Sequence, residues 1–555
     1  MTFQLLSISA TATLLLIIAS NYILHYVRSV LRGAKRPNRT DLASNSTEST
    51  VLLGNSLASA LPDSIIFPHD AAAFEQSVNS YWAQQECEVI PACIVRPRDV
   101  QQLCTAVHIL KSEYDERGKK DSREKEKVEG MFAIRSGGHS PVSGAASIRG
   151  GVLIDLSLFH EVTPSEDGSS VVIGAGAKWV NVSKILDEKG LAVTGGRSSA
   201  VGVGGLTLGG GLSFFSPRFG LVCSNIISYE VVLASGCVAT ASATTNSDLW
   251  QALKGGSNNF GIVTRITARS FRCAKIWSGF LYLPAFQATK VLAAFHEFVN
   301  RANSGDHSIR YDSQAAGPIA CFTYLQQLGI EAVAVNLVYT NTPEDGKKWP
   351  VCWRTSSFRS LWRLWSTCKV RTLTSATDEL NALNPPGRRQ AFGTTTIKND
   401  PATLAAAHCA YRDAIASIRR KNIKGMSWTL VLQPLLPEWF RKGDPNPLGL
   451  QNDGTDEPLV IVSFTVNWAE RQDDEFVAAT TRQAVEQIEA TATAKNTGHR
   501  YRYLNYCGEW QKPLEGYGEE NLRFLREVAR KYDPGGLFQK GCVGGFKLGS
   551  MPSEA

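Results

Sequence analysis

The chain has 555 residues, 43% hydrophobic and 20% charged, and its 58 Lys and Arg against 51 Asp and Glu leave a formal charge of +7. That length is too great for one small core and calls for two or three domains, and the composition excludes a disordered chain. The positive charge is spread along the chain with no aromatic-interleaved basic patch, which excludes nucleic acid as a partner.

Leu5 to Val27 is nearly all apolar or small and holds no Asp, Glu, Lys or Arg. Such a run can cross a bilayer as a helix. A cleaved signal peptide and a retained anchor are the alternatives for residues 1–30. No Lys or Arg precedes the run, and Ala19-Ser20 is a poor cleavage site, which favours a single-pass anchor. Arg28, Arg32, Lys35 and Arg36 would hold the following chain in the cytosol. The sequons at Asn38, Asn45 and Asn181 matter only in the lumen. The secretory route, with the membrane as a partner of the N-terminal segment, is the expectation.

Residues 31–73, rich in Ser, Thr and Asn, read as a linker. From Phe74 the chain reads as globular: a strand at 92–95, apolar residues at helical spacing over 100–111, then a mixed-charge run to Lys127 that suits a solvated helix end or surface loop. Strands follow at 131–134, 151–156 and 170–173, a helix at 177–189, and strands at 229–233 and 261–266. The alternation predicts an α+β fold. Between 275 and 497 the pattern changes to helices at 281–300, 401–420 and 474–494, strands at 330–339, 426–432 and 459–468, and a turn-rich surface loop at 444–456. A helix at 521–532 closes the chain. Twelve cysteines show no CxxC spacing; Cys87, Cys93 and Cys104 suit either one disulfide among them or burial as small hydrophobes. The nine histidines form no HxH or HxxxH cluster, so no metal is expected.

The segment Arg135-Ser136-Gly137-Gly138-His139-Ser140 carries the chemistry. Small residues let backbone N–H groups approach an anion closely, and glycine permits φ > 0. A phosphate cradle needs no imidazole; His139 makes sense as a nucleophile that tethers a cofactor. Sixty positions on, Val201-Gly202-Val203-Gly204-Gly205 offers a second such loop. Gly174-Ala175-Gly176 follows a strand but has Trp179 at the third glycine position, which argues against a nicotinamide fingerprint.

RSGGHS, VGVGGLTLGGG (201–211), GGSNNFGIVTR (255–265), YLNYCGEW (503–510) and KYDPGGLF (531–538) follow in order. From about Cys87 to Gly545 the chain resembles the berberine-bridge-enzyme-like branch of the vanillyl-alcohol-oxidase (PCMH-type) superfamily of FAD enzymes, in particular the fungal FAD-linked oxidoreductases of secondary metabolism. The resemblance implies a two-part FAD-binding domain (74–274, completed by 498–547) around an inserted substrate domain (275–497), an antiparallel sheet with helices on one face. It implies FAD linked covalently to His139. Gly137, Gly138 and Ser140 would face the pyrophosphate with Arg135 and Ser136 as neighbours. Val203, Gly204 and Gly205 would line the flavin, and Gly261, Ile262 and Val263 the adenosine side. Asn505 would hold the flavin or orient Tyr506, the candidate catalytic base or proton relay. A phenol of pKa ~10 is a poor base at neutral pH, so Tyr506 needs a nearby cation or hydrogen-bonded partner; the alternative is a packing tyrosine.

Three positions depart from the pattern. Ser198 stands where bicovalent members carry the cysteine that forms a thioether to the flavin, so attachment through His139 alone is expected. Leu206 replaces a frequent His, and Ser224 replaces an Asp, a change expected to affect only loop hydrogen bonding. The implied activity is hydride transfer from an alcohol, amine or allylic C–H of a small secondary metabolite to the flavin, with O2 as acceptor. A carbohydrate oxidase and an oxidative cyclase are the alternatives, and Trp349, Trp353, Trp362 and Trp365 do not separate metabolite from sugar.

Overall fold

A computed structural model describes residues 48–120, 130–301, 311–344 and 348–549. The apolar run at 5–27 and the sequons at Asn38 and Asn45 lie outside them. Among the described residues no helix is long and apolar enough to cross a membrane.

A small sheet begins the fold. β1 (Ile65–Ile66) pairs antiparallel with β2 (Cys93–Val95), while β3 (Phe132–Arg135) and β4 (Val152–Asp155) extend it in parallel, in the order β1-β2-β4-β3. Parallel neighbours need a crossover, and the helix Val100–Lys120 lies between β2 and β3 in the chain. It buries Leu103, Ala106, Val107, Leu110 and Tyr114, a stripe at three- to four-residue spacing. The mixed-charge run is thus helical as far as Lys120, supported by the pairs Lys111–Asp115 and Glu113–Arg117 one turn apart.

The linker reading is corrected over 48–73, the part of it among the described residues. Glu48–Ala60 is a helix whose Leu53 and Leu57, with Leu61 beyond it, enter the same core, and Ala71–Val78 is a second helix. Ser, Thr and Asn around the leucines hid an i, i+4 stripe; burying each leucine stabilises by roughly 1.5–3 kcal/mol, enough to order a polar segment.

The second sheet is antiparallel: β5 (Val162–Pro164), β6 (Ser170–Gly174), β7 (Leu191–Val193), β8 (Ile226–Val232), β9 (Val238–Ser242) and β10 (Ile262–Arg272) in the order β5-β6-β10-β8-β9, with β7 on β10. The helix Trp179–Glu188 buries Trp179, Val182 and Leu186 against it. The C-terminal chain returns to the first sheet. After the helix Glu519–Tyr532, Leu537, Phe538 and Cys542 join its core, and the Met131 and Val543 N–H groups donate to the Gly541 and Phe132 carbonyls (both 2.8 Å) along the edge of β3.

The third sheet has nine strands: β11 (Ile276–Pro284), β12 (Ala315–Leu325), β13 (Ile330–Tyr339), β14 (Trp365–Ser366), β15 (Lys369–Arg371), β16 (Arg389–Lys398), β17 (Ser427–Leu435), β18 (Leu459–Trp468) and β19 (Gly498–His499). Their order is β14-β11-β13-β12-β17-β18-β16-β19, with β15 on β11, and every pair is antiparallel. Strand periodicity divides its residues. Phe322, Leu430 and Phe464 pack beneath the helices Ala288–Asn300, Pro401–Lys421 and Asp474–Ala494. Cys321, Val431 and Ser463, one residue away in register, face the other way and line a cavity. The α+β class and the helix-covered antiparallel sheet are as expected.

Three details differ. The helix expected at 281–300 starts at Ala288, because Pro284 ends β11, an apolar run that periodicity alone cannot tell from a helix. The loop 444–456 is tucked in, with Leu448 and Leu450 buried and Asp444 accepting from the buried Lys254 ammonium at 3.0 Å. All twelve cysteines are unpaired, so Cys87, Cys93 and Cys104 form no disulfide.

Candidate active site

β3 delivers the RSGGHS loop at its C-terminal end, and the helix Val203–Leu208 carries the second glycine loop against it. The loops meet backbone to backbone: a Cβ on Gly202 would lie 2.6 Å from the Gly137 Cα. Ser136 Oγ (2.6 Å) and the Gly204 N–H (3.1 Å) both donate to the Ala175 carbonyl, which ties the loops to the end of β6. Gly138 has φ +62°, and a Cβ there would meet the Tyr81 ring at 2.9 Å. Gly205 faces open space, with nothing within 4 Å of where its Cβ would stand. Gly202→Val should therefore destabilise the fold by about 1–3 kcal/mol, the usual cost of overpacking, while Gly205→Ala should leave the denaturation midpoint nearly unchanged. Urea unfolding of the two variants checks the contrast.

His139 is half-buried in this loop and stacks on Trp82, with ring centroids 4.3 Å apart and 9° between planes. Its Nε2 is buried without a hydrogen-bond partner. Burial, with Lys178 nearby, pushes its pKa down to about 4, so the ring is neutral and keeps a lone pair at physiological pH. The unfolded chain binds this proton near pH 6.5. As pH falls from about 6.5 to about 4 the unfolded state gains a proton that the folded state refuses, and stability falls by roughly 3 kcal/mol. In protein produced without flavin, wild type should lose this stability relative to His139→Gln as pH falls across that range, measured by denaturation of both; the buried Glu86, which titrates in the opposite sense, is common to the two.

The loops open into a cavity of about 460 Å³. Ser136, Gly137, Gly138, His139 and Ser140 line one side, with Gly204 and Gly205 beside them. Gly261, Ile262 and Val263 line the end beneath β10, and Asn505 and Tyr506 the side toward the third sheet. Two expected residues do not line it. Arg135 points away, its guanidinium bonded to Asp155 (2.7 Å) and the Ser77 carbonyl (2.8 Å), so it fixes the end of β3 from behind. Val203 lies in the core of the second sheet: it and Thr207 share the buried face of a short helix, and Gly204 and Gly205 take the open one.

Glu86, absent from the sequence reading, is a fully buried carboxylate that accepts from the Gly144 (3.0 Å) and Ala146 (2.9 Å) N–H groups. Burial raises its pKa to about 7. It holds the turn that follows Ser140, whose Ala145 and Ala146 line the cavity. Trp82 was likewise not anticipated, because its role exists only through a contact with a ring 57 positions away.

Across the cavity, Arg197 Nη2 donates to the Tyr506 hydroxyl (3.0 Å) and to Gln433 Oε1 (2.6 Å). This supplies the cation that the sequence required near Tyr506. A guanidinium only donates, so the Tyr506 oxygen accepts from it and the hydroxyl proton is left for another partner. The ring is held edge-on against Tyr503 (4.7 Å) and Phe392 (5.7 Å). Asn505 Nδ2 donates to the Leu206 carbonyl (3.1 Å) and the Tyr503 hydroxyl (3.1 Å), so it anchors the glycine helix to this wall. Ser198 lines the cavity and donates to Asn381 Oδ1 (2.8 Å); Leu206 lines it as well. Ser224 Oγ accepts from Asn446 (2.9 Å), a loop bond as expected. None of Trp349, Trp353, Trp362 and Trp365 lines the cavity: Trp353 is in the core and Trp362 is 57% exposed.

A sequence profile of FAD binding domains matches residues 91–242, which include both glycine loops. The chain is 31% identical over 477 residues to the FAD-dependent monooxygenase tpcD of Cochliobolus heterostrophus, covering 84% of this chain and 87% of that protein. It is 29% identical to the bifunctional solanapyrone synthase of Alternaria solani, over 87% of this chain and 86% of that one. Among solved structures, glucooligosaccharide oxidase from Acremonium strictum, described with a 6-S-cysteinyl, 8α-N1-histidyl FAD, superposes with a TM-score of 0.66 at 18% identity over 90% of this chain and all of that one.

Proposed function

Because the chain belongs to the berberine-bridge-enzyme-like FAD-dependent oxidoreductases, we propose that it is an oxidase acting on an alcohol, amine or allylic C–H of a small secondary metabolite, with FAD joined to His139 alone and O2 as electron acceptor. One observation carries the reading: a neutral, unpartnered His139 and an Arg197-bonded Tyr506 line a single cavity. FAD bound there supplies the two-electron acceptor for a hydride. The protein does the rest. Gly137 and Gly138 let their loop pack against Gly202 and Tyr81, Gly205 faces open space without side-chain obstruction, and the neutral imidazole of His139 has the lone pair that attachment requires. Tyr506, its oxygen held by Arg197, lies in position to exchange a proton with the substrate. A serine at 198, already bonded to Asn381, offers no thiolate for a second link.

The substrate side of the cavity is walled mainly by Phe280, Ile319, Phe392 and Val431, with the short polar side chains of Ser463 and Thr465 beside them. Such walls suit a largely apolar metabolite better than a sugar, whose many hydroxyls would each need a partner. The experiment is anaerobic incubation of the purified yellow protein with panels of secondary alcohols, benzylic and allylic metabolites and oligosaccharides. Bleaching by a metabolite, with colour and hydrogen peroxide appearing on admission of air, supports the reading. Bleaching by oligosaccharides alone replaces it with a carbohydrate oxidase, and a product isomeric with the substrate adds a cyclisation. For localisation, the apolar run at 5–27 and the exposed Asn181 support a membrane-anchored protein of the secretory route. Loss of mass on deglycosylation of the membrane fraction tests it.

A further inference from the structure

Arg197 is a half-buried cation in a cavity whose lining is largely apolar, with neutral polar groups such as Gln433 and Tyr506 among it. Its guanidinium has five N–H donors. Two bonds are made, both from Nη2, to Gln433 and Tyr506, and both acceptors are neutral. That leaves the Nε–H and the two Nη1 hydrogens without a hydrogen-bond partner among the described residues, and no carboxylate of those residues lies within ion-pair distance. Other guanidiniums of this fold are committed differently: Arg135 to Asp155, Arg371 to Glu379 and Arg389 to Glu88. Withdrawing a charge from water without a counter-charge is costly. The remaining Nε and Nη1 donors can each give a charge-assisted hydrogen bond to an anionic oxygen.

Resting on the oxidoreductase reading, we infer that the substrate carries an anionic oxygen, that of a carboxylate or of the ionised enol of a 1,3-dicarbonyl, which Arg197 holds through its remaining donors. The ion pair would set the substrate beside Tyr506, because the same guanidinium fixes the Tyr506 oxygen. The apolar remainder of the substrate would lie along Phe280, Ile319 and Phe392. Arg197 is then a specificity residue as well as the partner of Tyr506, and neutral analogues of the same shape would be rejected.

The probes are benzoate, ionised 1,3-cyclohexanedione and neutral benzamide, titrated into the full-length holoenzyme. Calorimetry reads affinity without relying on the flavin, and flavin absorbance shows whether the probe reaches the cofactor. One or both anions should bind about 10- to 100-fold more tightly than benzamide, the range for hydrogen bonds to a charged group. Preference for benzoate or for the dione tells the two sources of the anion apart. Arg197→Gln should remove the preference while benzamide affinity stays within about twofold, and Arg197→Lys should retain part of it. Equal binding of anions and benzamide overturns the inference, as does anion binding unchanged in Arg197→Gln or no anion binding at millimolar concentration. These outcomes leave a bleachable flavin untouched, whereas a colourless protein that is never reduced is the separate failure of the oxidoreductase reading.

Discussion

Acid precipitation of the purified protein should carry the yellow colour into the pellet, and in His139→Ala the colour should move to the supernatant. The expectation follows from a ring that is half-buried and neutral, with a buried Nε2 that no protein group uses. A structural histidine would find a hydrogen-bond partner for that atom, since an unsatisfied buried polar atom costs about 1–3 kcal/mol. The alanine variant keeps Gly137, Gly138 and Gly205, so it should still bind flavin without a bond. Acid-stable flavin in His139→Ala would remove the assignment. The flavin peptide of the wild type should also have the mass of a single linkage, because the hydroxyl of Ser198 stands where a thiol would be needed.

Tyr506→Phe should slow flavin reduction by roughly 10²- to 10⁴-fold, the usual contribution of a proton-transfer group, with a much smaller effect on substrate affinity. The substitution removes one oxygen and leaves the edge-on contacts with Tyr503 and Phe392, so packing is preserved. Anaerobic stopped-flow reduction by the best substrate of the panel separates the rate from the dissociation constant. An unchanged rate would make Tyr506 a packing residue.

What could be read from the sequence was what is local. The glycines around His139 and the serine at 198 are properties of short segments, and each stands at the cavity as expected. The helix at 474–494 and the strands at 330–339 and 459–468 were legible because their apolar period is unbroken. β12 was not anticipated because Gly317-Pro318 interrupts it, nor β16, whose central Gly-Thr-Thr-Thr lacks large apolar residues. The assignments of Arg135 and Val203 treated a motif as a list of contacts. Side chains of neighbouring residues leave a strand or helix in different directions, so one member of each motif points behind the site. The Arg197–Tyr506–Gln433 group joins positions 309 and 236 residues apart, and no local pattern announces it.

The wall of the cavity is drawn from Trp82 at one end of the chain to Phe546 at the other, and the edge of β3 is completed by Gly541 and Val543. In most chains the N-terminal domain is finished first as synthesis proceeds. Here the earliest sheet is the last to be closed, after the whole nine-stranded insertion has been made and folded. A nascent chain can present His139 long before it can enclose anything around it. Enclosure of a cofactor therefore needs the end of the polypeptide, where Gly541 and Val543 meet the edge of β3.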